Sequence, residues 1–313
     1  MKIAYLVLAH ANPRHLARAI KALQCESCAF FVHIDRKSDV RQFSGIRSDQ
    51  VFVVEPRVPV YWGQFSQIEA ILILLRRAIQ HRDDFQYFTL ISGADYPLRS
   101  AAYIRSFLTA NQGLEFISAV HVPNDRVGKP LCRINTRVLS SDKPIRRFAT
   151  RVLAKFGLAR RDYRKYLGGL EPYSGSEWWT LSRAACQYLI EFVDNNPAVV
   201  NFFTEVCAAD EALFQTILFN SPYRPRLRRN LMYDDWSAGG CSPAMITAAH
   251  VAFFESQERV WASDHYGSGE LLFARKFSDR AVPLLERIDN MIARRESLEP
   301  CASPQPLTRN SSR

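Results

Sequence analysis

Phe88-Thr-Leu-Ile-Ser-Gly-Ala-Asp-Tyr-Pro97 decides the reading of this chain. An apolar run ends in small residues and then places one carboxylate, Asp95, before an aromatic residue and a proline. That is the pattern of a buried strand delivering an acid to a pocket rim, because ligands of open α/β sheets bind at the carboxyl ends of strands. Pro97 lacks an N–H and helps end the strand where the acid emerges. Asp also caps helices, so the acid gains functional meaning only from the segments around it.

Outward from this stretch the first hundred residues alternate. The pattern predicts strand 2–9, helix 13–23, strands 29–34 and 51–54, helix 64–81, strand 86–92 and helix 101–110. Phe65, Ile68, Ile71, Leu72, Leu75 and Ile79 recur at helical spacing. Strands alternating with helices argue for an α/β fold with a Rossmann-like parallel sheet. Further on, the pattern predicts strands near 115–119 and 175–181, helices near 183–194, 197–207, 209–219 and 280–296, and a Gly-, Ser- and Pro-rich stretch at 236–243. Pro300 to Arg313 are polar and read as a disordered tail.

The chain has 313 residues and is 47% hydrophobic, enough for one large domain or two intimate ones. No apolar run reaches the ~18 to 20 residues that span a bilayer, and no leader with a cleavage site is recognised. Seven cysteines, several inside apolar segments, fit reduced thiols better than a disulfide framework. The setting expected is cytoplasmic. Cys25-Glu-Ser-Cys28 has the spacing of half a zinc site, but no second pair completes four ligands, and the spacing alone does not establish a redox motif.

A net charge of +10 points to an anionic partner without saying which. Residues 126–165 are rich in Arg and Lys, and Arg224, Arg226, Arg228 and Arg229 form a second cluster. Most of these are expected to be solvated surface. The first cluster is also a candidate for peripheral contact with a membrane surface, on the inner-membrane side, through anionic headgroups.

Several segments carry chemistry. His33-Ile-Asp-Arg-Lys ends the second strand with an acid that can accept hydrogen bonds from a ribose or a uracil. No Gly-x-Gly-x-x-Gly or Walker sequence accompanies it, which argues against a nicotinamide or P-loop cofactor. Tyr61-Trp62-Gly63-Gln64 is expected beside Asp95. Ser174-Gly-Ser-Glu-Trp-Trp179 sets Glu177 beside two indoles, where desolvation raises a carboxyl towards general-base range. Asp210-Glu211 opens a helix, where acids also act as caps. Leu272-Phe-Ala-Arg-Lys-Phe277 places two cations inside an apolar run, a setting that suits an anionic guest.

Taken in order, His33-Ile-Asp-Arg-Lys, Trp62-Gly63, Gly93-Ala-Asp-Tyr-Pro, Gly175-Ser-Glu-Trp, Asp210-Glu-Ala-Leu-Phe-Gln-Thr-Ile-Leu, Cys241-Ser-Pro and Phe273-Ala-Arg-Lys-Phe resemble the core-2/I-branching enzymes. This is glycosyltransferase family 14, which includes β-1,6-N-acetylglucosaminyltransferases and peptide O-xylosyltransferases. The resemblance spans about residues 3 to 280 and suits a soluble, bacterial-type member. It implies a GT-A-like mixed sheet flanked by helices, with one domain over 1–297: a donor half to about 120, and an acceptor and catalytic half from about 170. It also implies an inverting transfer of xylose or N-acetylglucosamine from a UDP-sugar to a glycan or other hydroxyl-bearing acceptor. No divalent metal and no cofactor are expected, and the chain has no Asp-x-Asp tripeptide.

By the same resemblance His33, Asp35 and Arg36 lie near the uridine, and Trp62, Gly63 and Asp95 border the donor sugar. Arg275 and Lys276 stabilise the departing diphosphate, while Trp178 and Asp210 touch the acceptor. Glu211 matches the base of the N-acetylglucosaminyltransferases and Glu177 that of the xylosyltransferases. Glu211 is favoured, with Glu177 as acceptor-binding partner or alternative base. A non-catalytic glycan- or nucleotide-binding relative is the next reading, which the presence of both acids and both cations opposes. A nucleic-acid-binding protein is the third, and its affinity would fall steeply with salt and ignore UDP.

Overall fold

A computed structural model describes residues 1–138, 159–240 and 242–298. The first hundred residues fold as the alternation predicts. Strand β1 (Ile3–Ala9) is followed by α1 (Pro13–Leu23), β2 (Cys28–Ile34), β3 (Val51–Val53), α2 (Phe65–Ile79) and β4 (Tyr87–Ser92). Pro13 at the first turn starts α1, where its missing N–H costs nothing. After β4 come a short β5 (Asp95–Pro97), α3 (Ala101–Ala110), β6 (Glu115–His121) and a one-turn α4 (Cys132–Asn135).

The second half contributes β7 (Tyr173–Ser182), α5 (Arg183–Asn195), α6 (Pro197–Phe203) and α7 (Leu213–Phe219). It continues through β8 (Leu227–Arg228), β9 (Met232–Asp234), α8 (Ala248–Ser256), the β10 (Trp261–Asp264) and β11 (Gly267–Glu270) hairpin, β12 (Phe273–Arg275) and α9 (Val282–Leu298). The helix expected over 197–207 stops at Phe203. That over 209–219 is split into a 3₁₀ turn, Ala209–Glu211, and α7. The predicted tail lies outside the described residues, as does 139–158 of the basic segment.

The strands form a seven-stranded sheet in the order β3-β2-β1-β4-β7-β6-β8. Strands β1 to β4 are parallel, while β7 runs antiparallel to both β4 and β6. The sheet is therefore mixed rather than parallel throughout, and strands from both halves of the chain interleave in it. Helices pack against it, and β1, β2 and β4 are buried nearly end to end, as expected of strands covered on both faces. A three-stranded sheet, β5-β12-β9, is set beside the main one. No helix among the described residues is long and apolar enough to cross a membrane.

One irregularity shapes the site. Ile117 pairs with Trp179, but Ala119 pairs with Gly175, so Ser176, Glu177 and Trp178 stand opposite the single residue Ser118. Surplus residues leave the ladder and re-aim their side chains, as β-bulges do. Gly175 makes the close approach feasible, because a Cβ there would lie 1.8 Å from the Ser118 carbonyl oxygen. Gly175→Ala is accordingly expected to destabilise the fold by ~1 to 3 kcal/mol, the usual cost of overpacking. Urea unfolding would check this, and an unchanged midpoint would mean that the strands part freely.

Candidate active site

The bulge is anchored on three sides. Lys129 donates to the Gly175 carbonyl (3.0 Å), Gln215 to the Ser176 carbonyl (2.6 Å), and Asn230 Nδ2 to Ser176 Oγ (2.9 Å). Glu177 is thereby held on one wall of a cavity of about 520 Å³, within the range of small-molecule sites. The segments Trp62, Glu177-Trp178, Asp210-Glu211 and Arg275-Lys276, distant in sequence, all line this cavity.

Glu177 Oε1 accepts a hydrogen bond from Gln67 on the first turn of α2. Burial and the nearby Asp210 push its carboxyl up to about 8, against a smaller opposing pull from Arg275. Asp210 is raised as well, by burial and by Glu211. It is only 4% exposed, and its Oδ1 is buried with no hydrogen-bond partner among the described residues. Glu211 is differently placed: its Oε2 already accepts from Lys129 Nζ (2.5 Å) and Arg133 Nη1 (2.7 Å).

The cationic wall is built by β12, whose Arg275 pairs with Asp95 of β5 and with Asp234 of β9. The Arg275 guanidinium lies 4.0 Å over the Trp178 ring, and its Nε is 3.6 Å from Asp95 Oδ1. Lys276 donates to Ser242 Oγ (2.7 Å), and burial followed by the Arg275 charge lowers its ammonium. Arg275 lies closest to a carboxylate of its own fold, whereas the hydrogen bond of Lys276 goes to a neutral hydroxyl.

Five of the sequence-derived candidates do not line this cavity. Asp95 is the chief correction: it is 1% exposed and lies behind the wall instead of on a rim. The chain leaves the main sheet at Ser92, and Asp95 folds back to accept from Ser92 N and Oγ, both at 2.7 Å. His33 Nε2 accepts from Val58 N (3.0 Å), and Asp35 accepts from Lys37 N (2.9 Å). Asp35 Oδ1 also accepts from Val60 N (3.4 Å), so both brace the loop that leads to Trp62. Arg36 is exposed at the end of β2. Gly63, at φ 67°, is a turn residue whose carbonyl accepts from Ala208 N (3.0 Å), tying the Trp62 loop to the Asp210-Glu211 turn. Trp62 itself is 67% exposed at the cavity.

A family model described as Core-2/I-Branching enzyme matches residues 3–257. The chain belongs to the core-2/I-branching enzyme family. It is similar to Xylosyltransferase 1 of Rattus norvegicus, at 25% identity over 246 residues, covering 76% of this chain and 28% of the relative. It is likewise similar to Xylosyltransferase 2 of Homo sapiens, at 25% over 245 residues, covering 76% and 27%. The chain thus spans little more than a quarter of the length of these relatives. The seven-stranded mixed sheet flanked by helices is consistent with a GT-A-like fold.

Several residues lining or bracing the cavity escape a reading by motif. Lys129 is 7% exposed and Arg229 9%, although both belong to runs expected to be solvated. Arg229 pairs with Asp264 at 2.6 Å on the cavity wall. Gln67 lies in a helix and belongs to none of the motifs. Only their carboxylate partners, remote in sequence, mark these side chains. Among the described residues no group of three His, Cys, Asp or Glu is arranged to hold a metal ion.

Proposed function

We propose that the protein is an inverting, metal-independent glycosyltransferase that moves xylose or N-acetylglucosamine from a UDP-sugar to an acceptor hydroxyl. The observation that carries this reading is one cavity with a raised carboxyl, Glu177, on one wall and the Arg275-Lys276 pair on another. The acceptor oxygen attacks the anomeric carbon on the face opposite the leaving group, and Glu177 takes its proton. The bond from the anomeric carbon to the diphosphate breaks, and its electrons pass to UDP. Fixed cations stabilise that growing charge without reorganisation.

Glu177 suits the role of base better than Glu211. Two charged donors already occupy the Glu211 oxygen, whereas a base needs a carboxylate free to receive a proton near working pH. Glu211, Lys129 and Arg133 then serve as a wall for the acceptor, and Asp210 has an unused oxygen for one of its hydroxyls.

The test is a transfer and donor-hydrolysis screen over UDP-xylose, UDP-N-acetylglucosamine, UDP-glucose and UDP-galactose, with and without EDTA. UDP is expected to raise the melting temperature without metal, because ligand binding to the folded state stabilises it. Strict dependence on Mn²⁺ would overturn metal independence. Lys276→Ala should weaken UDP by ~1.5 to 3 kcal/mol, the range for a hydrogen bond to a charged group, and UMP by less. Equal losses for UDP and UMP would place Lys276 away from the β-phosphate.

A further inference from the structure

The Cys25-Glu26-Ser27-Cys28 turn has no part in this chemistry. It joins α1 to the amino end of β2, away from the carboxyl ends where the cavity lies. Cys28 N donates to the Cys25 carbonyl (3.2 Å), closing a four-residue turn. Such a turn holds its end Cα atoms within ~7 Å, and a disulfide spans ~4.4 to 6.8 Å between Cα atoms. The sulfur is also turned the right way, since Cys25 N donates to Cys28 Sγ (3.0 Å) and that thiol donates back to the Cys25 carbonyl (3.1 Å). Both cysteines are free thiols, Cys25 partly exposed and Cys28 5% exposed.

We propose that Cys25 and Cys28 form a thiol–disulfide exchange site, with Cys25 as the attacking and Cys28 as the resolving thiol, acting on a low-molecular-weight disulfide of the glutathione class. The Cys25 thiolate displaces one thiol of that disulfide and forms a mixed disulfide. The Cys28 sulfur then attacks the Cys25 sulfur and releases the second thiol. One small-molecule S–S bond and two protein S–H bonds become one protein S–S bond and two small-molecule S–H bonds. The protein is oxidised by two electrons and the small disulfide is reduced.

The division of labour follows from surroundings. The hydrogen bond with Cys28 lowers the Cys25 thiol, and a contact with Ser27 and the charge of Arg105 act in the same direction against its partial burial. Cys28 is raised by that same hydrogen bond and by burial. Arg105 is fixed there by its bond to Ser27 Oγ (3.1 Å). A thiolate that is exposed and beside a cation attacks first, and a buried neighbour resolves.

The experiment uses the reduced full-length chain, incubated in graded ratios of reduced to oxidised glutathione, quenched in acid, alkylated and digested with trypsin. Cleavage after Lys21 and Arg36 yields one fragment, Ala22 to Arg36, that carries both thiols and no other cysteine. In the wild type this fragment should come to carry no alkyl group, and to weigh two hydrogens less than the dithiol, as oxidised glutathione rises. Cys28→Ser should trap glutathione on Cys25, and Cys25→Ser should leave Cys28 without an adduct. Exposed Cys132 and Cys207 serve as internal references. A fragment that stays doubly alkylated while Cys132 or Cys207 gains glutathione would overturn the site. An adduct on Cys28 in Cys25→Ser would overturn the assignment of roles. None of these readouts requires glycosyl transfer, so failure here is separable from failure of the glycosyltransferase reading.

Discussion

Glu177→Gln is expected to lower transfer by ~10² to 10⁴ while UDP binding stays near wild type, because the substitution keeps shape and removes only the proton acceptor. Glu211→Gln should cost less, chiefly through the acceptor Michaelis constant, since it loosens the Lys129 and Arg133 wall. If Glu211→Gln abolishes turnover and Glu177→Gln merely weakens acceptor binding, the base is Glu211. The pH profile adds an independent test. With the Glu177 carboxyl pushed up to about 8, activity should climb with pH over a range well above that of an ordinary glutamate, and the variant should lose that limb.

The same shift has a stability signature. Between the unfolded value of ~4.3 and the folded one, the folded protein binds the extra proton, so stability falls as pH rises through that window. Below it the difference vanishes. Glu177→Gln removes the penalty and should therefore gain stability over wild type in mildly alkaline buffer, though not in acid. A variant inactive yet more stable at alkaline pH is the mark of a carboxyl strained for function.

How much of this was legible in the sequence depends on how local the cause is. Helices Pro13–Leu23 and Ala101–Ala110 fall where the pattern predicts, because their signals are within a turn: Pro13 at the start of one, and Ser100 Oγ accepting from Tyr103 N (3.2 Å) at the other. Strands of three residues, such as Asp95–Pro97 and Phe273–Arg275, are too short for any periodicity to register. Their pairing decides where Asp95 points, so the acid that opened the reading is placed behind Arg275 by a partner some 180 residues away in sequence. The bulge at Glu177 is likewise a property of two strands, although Gly175 beside it was a visible sign. Lys129 escaped notice because a basic run reads as solvated, and only the Glu211 and Gly175 oxygens show otherwise.

Arg275→Ala is expected to cost ~3 to 5 kcal/mol of stability near neutral pH, the usual penalty for removing one partner of a buried charge pair. Asp95 is 1% exposed, and among the described residues Ser92 supplies the only close hydrogen bonds to its carboxylate. The 4.0 Å stack of the guanidinium on Trp178 is lost as well, worth ~0.5 to 2 kcal/mol. Burial already raises the Asp95 carboxyl, and Arg275 is the largest force pulling it back. Without Arg275 the folded protein holds that proton to higher pH, while the unfolded chain releases it at the ordinary value. The deficit should therefore be small in acid, where the folded protein holds the Asp95 proton with or without Arg275, and should grow as pH rises. Urea unfolding at about pH 5 and about pH 8 measures that slope. Adding Asp95→Asn should recover part of the loss at the higher pH, as expected for directly coupled residues. A deficit below ~1 kcal/mol, within the ordinary spread of point substitutions, and the same at both pH values would show that Arg275 does not compensate Asp95. Its charge would then be wholly available to the diphosphate, and the three-stranded sheet would owe its position to packing alone.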